Sequence, residues 1–133
     1  MGRNMVMGAI RKKNLLTQMP SSSTQEWFQT LAAGSRYKIE RIVSYGHASP
    51  QGFWYEQSWD EWVLLLQGEA VLAFQDGENK IGLGPGDCLF IPAGVRHQVV
   101  STSKNPTTIW LAVHLSEQDG FFDPPHDAPG SAD

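Results

Sequence analysis

A chain of 133 residues, 41% hydrophobic and 18% charged, is sized for one domain around a single core. Ten Lys and Arg against fourteen Asp and Glu leave a formal net charge of −4, and the cations are thinly spread apart from Arg11 to Lys13, which excludes a basic face for a nucleic-acid partner. One cysteine, Cys88, excludes an intrachain disulfide framework. No apolar run nears the roughly twenty residues needed to cross a bilayer, and "MGRNMVMGAI" lacks the core and cleavage site of a signal peptide, so a cytoplasmic protein without membrane contact is expected.

In chain order, residues 1–22 alternate weakly between apolar and polar groups up to Pro20 and read as an extended arm. Residues 23–36 read as a short helix and linker. Ser23 and Glu26 have capping-box spacing, Trp27, Phe28 and Leu31 share a helical face, and Gly34 can end a helix running from about Thr24 to Ala33. From residue 37 to 115 the pattern is β. "YKIERIVS", "EWVLLL", "EAVLAF", "CLFIP", "RHQVVST" and "TTIWLAVHL" are short segments rich in branched and aromatic residues. Gln67-Gly68, Asp76-Gly77 and Gly84-Pro85-Gly86-Asp87 supply the turns between them. Residues 116–133, rich in Pro, Gly and acid, read as a mobile tail that Phe121 and Phe122 can pin locally. Many short strands with one helix give an all-β fold, an antiparallel sandwich or barrel.

Two motifs narrow that class. In "GDCLFIPAGVRH", Gly86, Pro92, Gly94 and His97 match the second cupin motif, with Ser101 where the motif ends in Asn. The first cupin motif is matched at its end, where Glu61 is followed after six residues by Gly68, but its two histidines are absent. The chain therefore resembles the small single-domain cupins over about Tyr37 to Leu115. More narrowly, "ERIVSYGHASPQGFWYEQSWDEWVLLLQGEA" with "TIWLAVHL" is similar to small bacterial cupins that carry a D/E-Q-x-x-D-E-W-V stretch.

The resemblance implies a cupin-type antiparallel β-barrel, or jelly roll, with the short N-terminal helix outside it, and a small-molecule ligand in the cup. It also implies one divalent metal, of Fe, Mn, Ni, Zn or Cu, near the inner wall, for which imidazole and carboxylate are suitable ligands. His97 and Glu61 occupy ligand positions of the motifs. The missing histidines can be placed in two registers: three intervening residues put Tyr55 and Gln57 there, four put Trp54 and Glu56 there. Gln57 or Glu56 would complete the metal set, and strand alternation turns Asp60 away from it. If the protein is an enzyme, the resemblance implies a metal-assisted oxygenase, isomerase or lyase with Tyr55 or Glu56 as acid or base. The alternative is a metal-free binding or sensor module with an aromatic cup. Exposed sheet edges, the pairing habit of cupin barrels and a strand-like "MVMGAI" together lead to an expected homodimer.

Other candidates have structural readings. Cys88 reads as a buried thiol with no base beside it, His47 as an exposed loop residue and His114 as a satisfied core histidine. Trp54, Trp59, Trp62, Trp110, Phe53, Tyr55 and Phe74 read chiefly as core or contact aromatics, one or two of them facing ligand. No glycine-rich phosphate loop, Gly-x-Ser-x-Gly elbow or Cys-x-x-Cys is present. Asp60 and Glu61 do not make a glycosidase pair, because strand neighbours face opposite ways.

Overall fold

A computed structural model describes residues 10–75, 79–120 and 122. Among them the β segments form eight strands: β1 (Trp27–Ala33), β2 (Tyr37–Ser44), β3 (Asp60–Gln67), β4 (Ala70–Phe74), β5 (Asn79–Leu83), β6 (Cys88–Ile91), β7 (His97–Thr102) and β8 (Thr108–Leu115). A five-stranded sheet has the order β1-β2-β8-β3-β6, and a three-stranded sheet the order β5-β4-β7, with every pairing antiparallel. The period of two then sorts the side chains. Val63 and Leu65 of β3 and Trp110 and Ala112 of β8 meet Ala70 and Leu72 of β4, Leu83 of β5 and Ile91 of β6 in one core between the sheets.

The expected helix at Thr24 to Ala33 is corrected by the structure. Residues 27–33 are β1, paired with β2 from Trp27↔Val43 to Ala33↔Lys38, with a register shift between Thr30 and Ala32. The capping residues are used otherwise: Ser23 Oγ accepts from Gln25 N–H (3.1 Å), and Glu26 accepts from the Ser44 hydroxyl (2.5 Å). Gly34 donates to Tyr37 O (2.9 Å) and so closes a hairpin rather than a helix. A local capping pattern gains about 1 kcal/mol, which a full row of cross-strand hydrogen bonds and burial outweighs. Strand β5, "NKIGL", was not anticipated, and the Asp76-Gly77 turn before it lies outside the described residues.

The arm lies on the opposite face of the larger sheet. There Val43, Tyr45 and Ile109 form a second core, with Met19, Trp27 and Leu66 packed on it. Arg41, with no exposed surface, projects from this face of β2. Its Nη1 donates to the carbonyls of Asn14 (3.5 Å), Leu15 (3.1 Å) and Thr17 (2.7 Å), and its Nη2 to Gln18 O (3.0 Å) and Gln29 Oε1 (2.6 Å). The Tyr45 hydroxyl donates to Pro20 O (2.5 Å). Burial lowers the Arg41 pKa and raises that of Tyr45, and the two charges partly offset these effects in each other. His47 is not the exposed loop residue expected. Its Nδ1 accepts from Tyr45 N–H (2.9 Å) while Nε2 meets Thr24 O (3.0 Å), so it ties the segment before β1 to the end of β2.

Cys88 is exposed, not buried as expected, because on edge strand β6 Leu89 and Ile91 take the inward positions and leave Cys88 and Phe90 outside. Of the tail, Ser116 to Gly120 and Phe122 are described. Ser116 N–H donates to Arg36 O (2.8 Å), and Arg36 pairs with Asp119 (2.6 Å). The rest, including Phe121, lies outside the described residues. No helix among the described residues is long and apolar enough to cross a membrane.

Candidate functional site

Glu61 enters the site because it shares the inner face of β3 with Val63 and Leu65. Asp60, one position earlier, turns outward and its Oδ1 accepts from Ala93 N–H (2.8 Å). His97 opens β7 opposite Phe74 and is 5% exposed. Its delivery depends on the turn that precedes it. Val95 N–H donates to Pro92 O (3.2 Å), Gly94 takes φ +83°, and Gly94 N–H reaches across to Gln57 O (2.8 Å). A left-handed turn residue with a free hand for that bond is best served by glycine. Tyr55 is fastened to the same strand, donating its N–H to His97 O (2.7 Å) and accepting from His97 N–H (3.0 Å). The Tyr55 ring stacks on the imidazole at 5.6 Å between centroids, and Phe74 lies at 6.2 Å.

The hydrogen bonds fix what His97 offers. Its Nδ1 lies 3.0 Å from Val95 O, an acceptor only, so Nδ1 carries the proton and the neutral ring presents a bare Nε2. That nitrogen is 3.9 Å from Glu61 Oε1. Gln57 Nε2 donates to the same oxygen at 2.7 Å. The structure thus brings Tyr55 and Gln57 together with Glu61 and His97, the register with three intervening residues. Glu56 is exposed, and Trp54 lies outside the cluster under the Arg96 guanidinium, 5.2 Å from the ring centre.

A second polar group adjoins the first. Glu61 is the cross-strand partner of His114, so both side chains project from the same face. His114, 8% exposed, has both ring nitrogens engaged: Trp59 Nε1–H donates to Nδ1 (2.8 Å), and Nε2 meets Glu40 Oε2 (2.8 Å). Lys38 Nζ stands 3.7 Å from the other Glu40 oxygen.

The sequence model of the cupin domain family matches residues 42–114, which contain every residue of the first cluster. The chain is a cupin. A Ralstonia eutropha protein described as a "putative mannose-6-phosphate isomerase" is 40% identical to it, with 80% of this chain and 99% of that one covered and a TM-score of 0.77. A cupin superfamily protein of Desulfitobacterium hafniense is 29% identical over 81% of this chain and 100% of its own, with a TM-score of 0.60. A polyketide cyclase of Streptomyces resistomycificus shares the fold at 19% identity and a TM-score of 0.61. No curated protein matches this cupin.

In this cupin, Glu40 is the site residue that sequence reasoning passed over, while Trp59 was named only as one of several aromatics of which one or two face ligand. Glu40 sits inside "YKIERIVS", where alternation marks it as inward-facing once Ile42 is taken as core, and that was the available signal. Among the described residues no group of three or more His, Cys, Asp or Glu is gathered to hold a metal ion. The donors that fit one are His97 Nε2, the Glu61 carboxylate and, after a half-turn of its amide, the Gln57 oxygen.

Proposed function

We propose that this cupin binds a small molecule in its cup and holds a divalent metal beside it through His97, Glu61 and Gln57. The observation that carries the reading is the pairing of a bare imidazole nitrogen and a carboxylate oxygen 3.9 Å apart inside the barrel. Donor atoms about 2.0 to 2.2 Å from one metal stand up to about 4 Å from each other, so the separation suits a shared ion. The Val95 carbonyl fixes the His97 tautomer as an outer partner of a ligating histidine does. Such a metal supplies a Lewis acid that polarises a carbonyl or hydroxyl of the ligand. The chain itself provides the walls, where Tyr55 and Phe74 flank His97 and orient what enters. The isomerase description of the Ralstonia relative supports a small polar ligand. The phosphate in that description is said of that protein and is not carried over to this chain.

Metal-free binding is the second reading, favoured by one observation: the Gln57 amide turns its N–H to Glu61 and already satisfies that oxygen. Metal analysis of untagged protein, with thermal melts in Mn, Fe, Ni, Zn and Cu, separates the two. Under the first reading one metal binds stoichiometrically, and at a hundredfold excess over its Kd stabilises the fold by about 2.7 kcal/mol. Glu61→Gln and His97→Ala each abolish the effect, Gln57→Ala weakens it, and Glu56→Ala and Asp60→Asn leave it unchanged. If none of the five metals raises the melting temperature, the metal-free reading stands.

A further inference from the structure

The His114 group has a use that the first cluster does not need. An indole nitrogen only donates, so His114 Nδ1 is an acceptor, and its Nε2–H therefore points at the Glu40 carboxylate. Glu40 on β2 and His114 on β8 are held within one sheet, so the imidazole cannot turn, and Nδ1 keeps a fixed direction. A buried acceptor in a fixed direction needs a donor, since leaving it unpaired costs about 1 to 3 kcal/mol. The donor comes from a different kind of segment. Trp59 lies in the irregular stretch between the Tyr55 bridge and the start of β3 at Asp60. On its outer side it borders a pocket of about 370 Å³ shared with Ser58, Asp60, Ala93, Leu115 and Glu117, so the indole has open volume to swing into when it leaves Nδ1. Phe122 meets the indole edge-on at 5.7 Å and stands 6.2 Å from the imidazole, so the corner at Nδ1 is already packed by flat rings, one of which makes the hydrogen bond.

We propose that the cup takes a planar aromatic ligand whose hydroxyl donates to His114 Nδ1 in the place that the Trp59 indole now fills. The inference deepens the small-molecule half of the function proposed above and is independent of the metal half. His114 and Glu61 are cross-strand partners, so a ring seated on His114 reaches the His97–Glu61–Gln57 cluster with its other edge. Glu40 acts as a positioning residue that holds the imidazole, and Trp59 as a stand-in that keeps the acceptor paired while the cup is empty.

Phenol and anisole are the probes, because they share a ring and differ in the donor. In ¹⁵N-labelled full-length protein the Trp59 indole N–H signal is assigned by its absence from Trp59→Phe. Millimolar phenol is expected to shift that signal saturably, while anisole leaves it in place. Trp59→Phe removes the competing donor and keeps an aromatic ring, so it should bind phenol about fivefold more tightly than the wild type. His114→Leu should lose phenol binding; where that variant does not fold, the anisole comparison and Trp59→Phe decide. An unmoved Trp59 signal, equal responses to phenol and anisole, or no gain in Trp59→Phe each overturn the proposal. Zinc added to the same sample separates the two readings. A response around His97 with none to phenol overturns this inference and leaves the metal site, whereas a response to phenol with none to zinc supports this inference and leaves the metal reading to the five-metal melts.

Discussion

Gly68 joins β3 to β4 with φ +91°, and a Cβ there would stand 2.8 Å from Thr108 Cα and 2.7 Å from Ser103 Oγ. Backbone cannot move aside as a side-chain tip can, so Gly68→Ala combines a disfavoured conformation with a clash at a buried strand. A loss of about 2 to 4 kcal/mol is expected in denaturant melts. Arg41 is a second residue whose loss is felt broadly. Its guanidinium supplies donors to four carbonyls of the arm and to Gln29, and lies 5.0 Å over the Trp27 ring. Arg41→Met keeps much of the apolar stem and removes every donor. It should cost about 2 to 3 kcal/mol and bring rapid hydrogen exchange to residues 14–18 while β3 and β8 stay protected. Sequence gave little warning of this residue: in "YKIERIVS" an arginine between an acid and an isoleucine reads as solvent-facing, and only the arm folded over it makes the position buried.

Elements carry the next set of consequences. The misread of β1 shows why local signals fail there: Ser23, Glu26 and Gly34 form a plausible helix frame within about twelve residues, but their partners are Gln25, Ser44 and Tyr37, two of which belong to β2. Strands β2, β3, β4, β6, β7 and β8 were readable because runs of branched and aromatic residues between turn signals mark a strand without knowing its neighbour. The arm and β2 also share a pH dependence. Burial raises the Tyr45 pKa, so the folded state holds that proton more tightly than the unfolded chain. The resulting stability is full below the ordinary tyrosine value of about 10 and is lost as pH rises through the higher folded value. Proteolysis of the arm should accelerate in that alkaline window. Tyr45→Phe, which lacks the hydroxyl donated to Pro20, should cost about 1 kcal/mol at neutral pH and abolish the alkaline step.

At the scale of the whole molecule, the motif around Pro92 to His97 let the barrel and one end of the site be read from sequence, while the rest of the site depends on contacts the sequence does not mark. Gln57 and Glu56 were equal candidates in the sequence, and only the folded chain shows Gln57 against Glu61 with Glu56 exposed. Trp59, His114 and Glu40 are separated by 55 and 74 positions and meet only because β2 and β3 both flank β8. The arm contributes at this scale as well, since Met19 closes over Val43, Tyr45 and Ile109. Removing the first nineteen residues uncovers that core and leaves Arg41 without its carbonyls. A drop of several degrees in melting temperature, together with binding of a hydrophobic dye, is the expected outcome; an unchanged melt would show that the second core is stable in water.

Among the described residues, Arg41 hydrogen-bonds the arm through main-chain oxygens at residues 14, 15, 17 and 18 and not through their side chains. What it recognises is therefore the path of a chain and not its spelling. In a library randomised over those four positions, most polar replacements should keep the arm seated, whereas changes at Arg41 itself should be rejected almost without exception. Among the described residues carbonyl and amide dipoles rather than ions surround the guanidinium, so the seating should also persist in molar salt, where an exposed pair such as Arg36 and Asp119 is screened away.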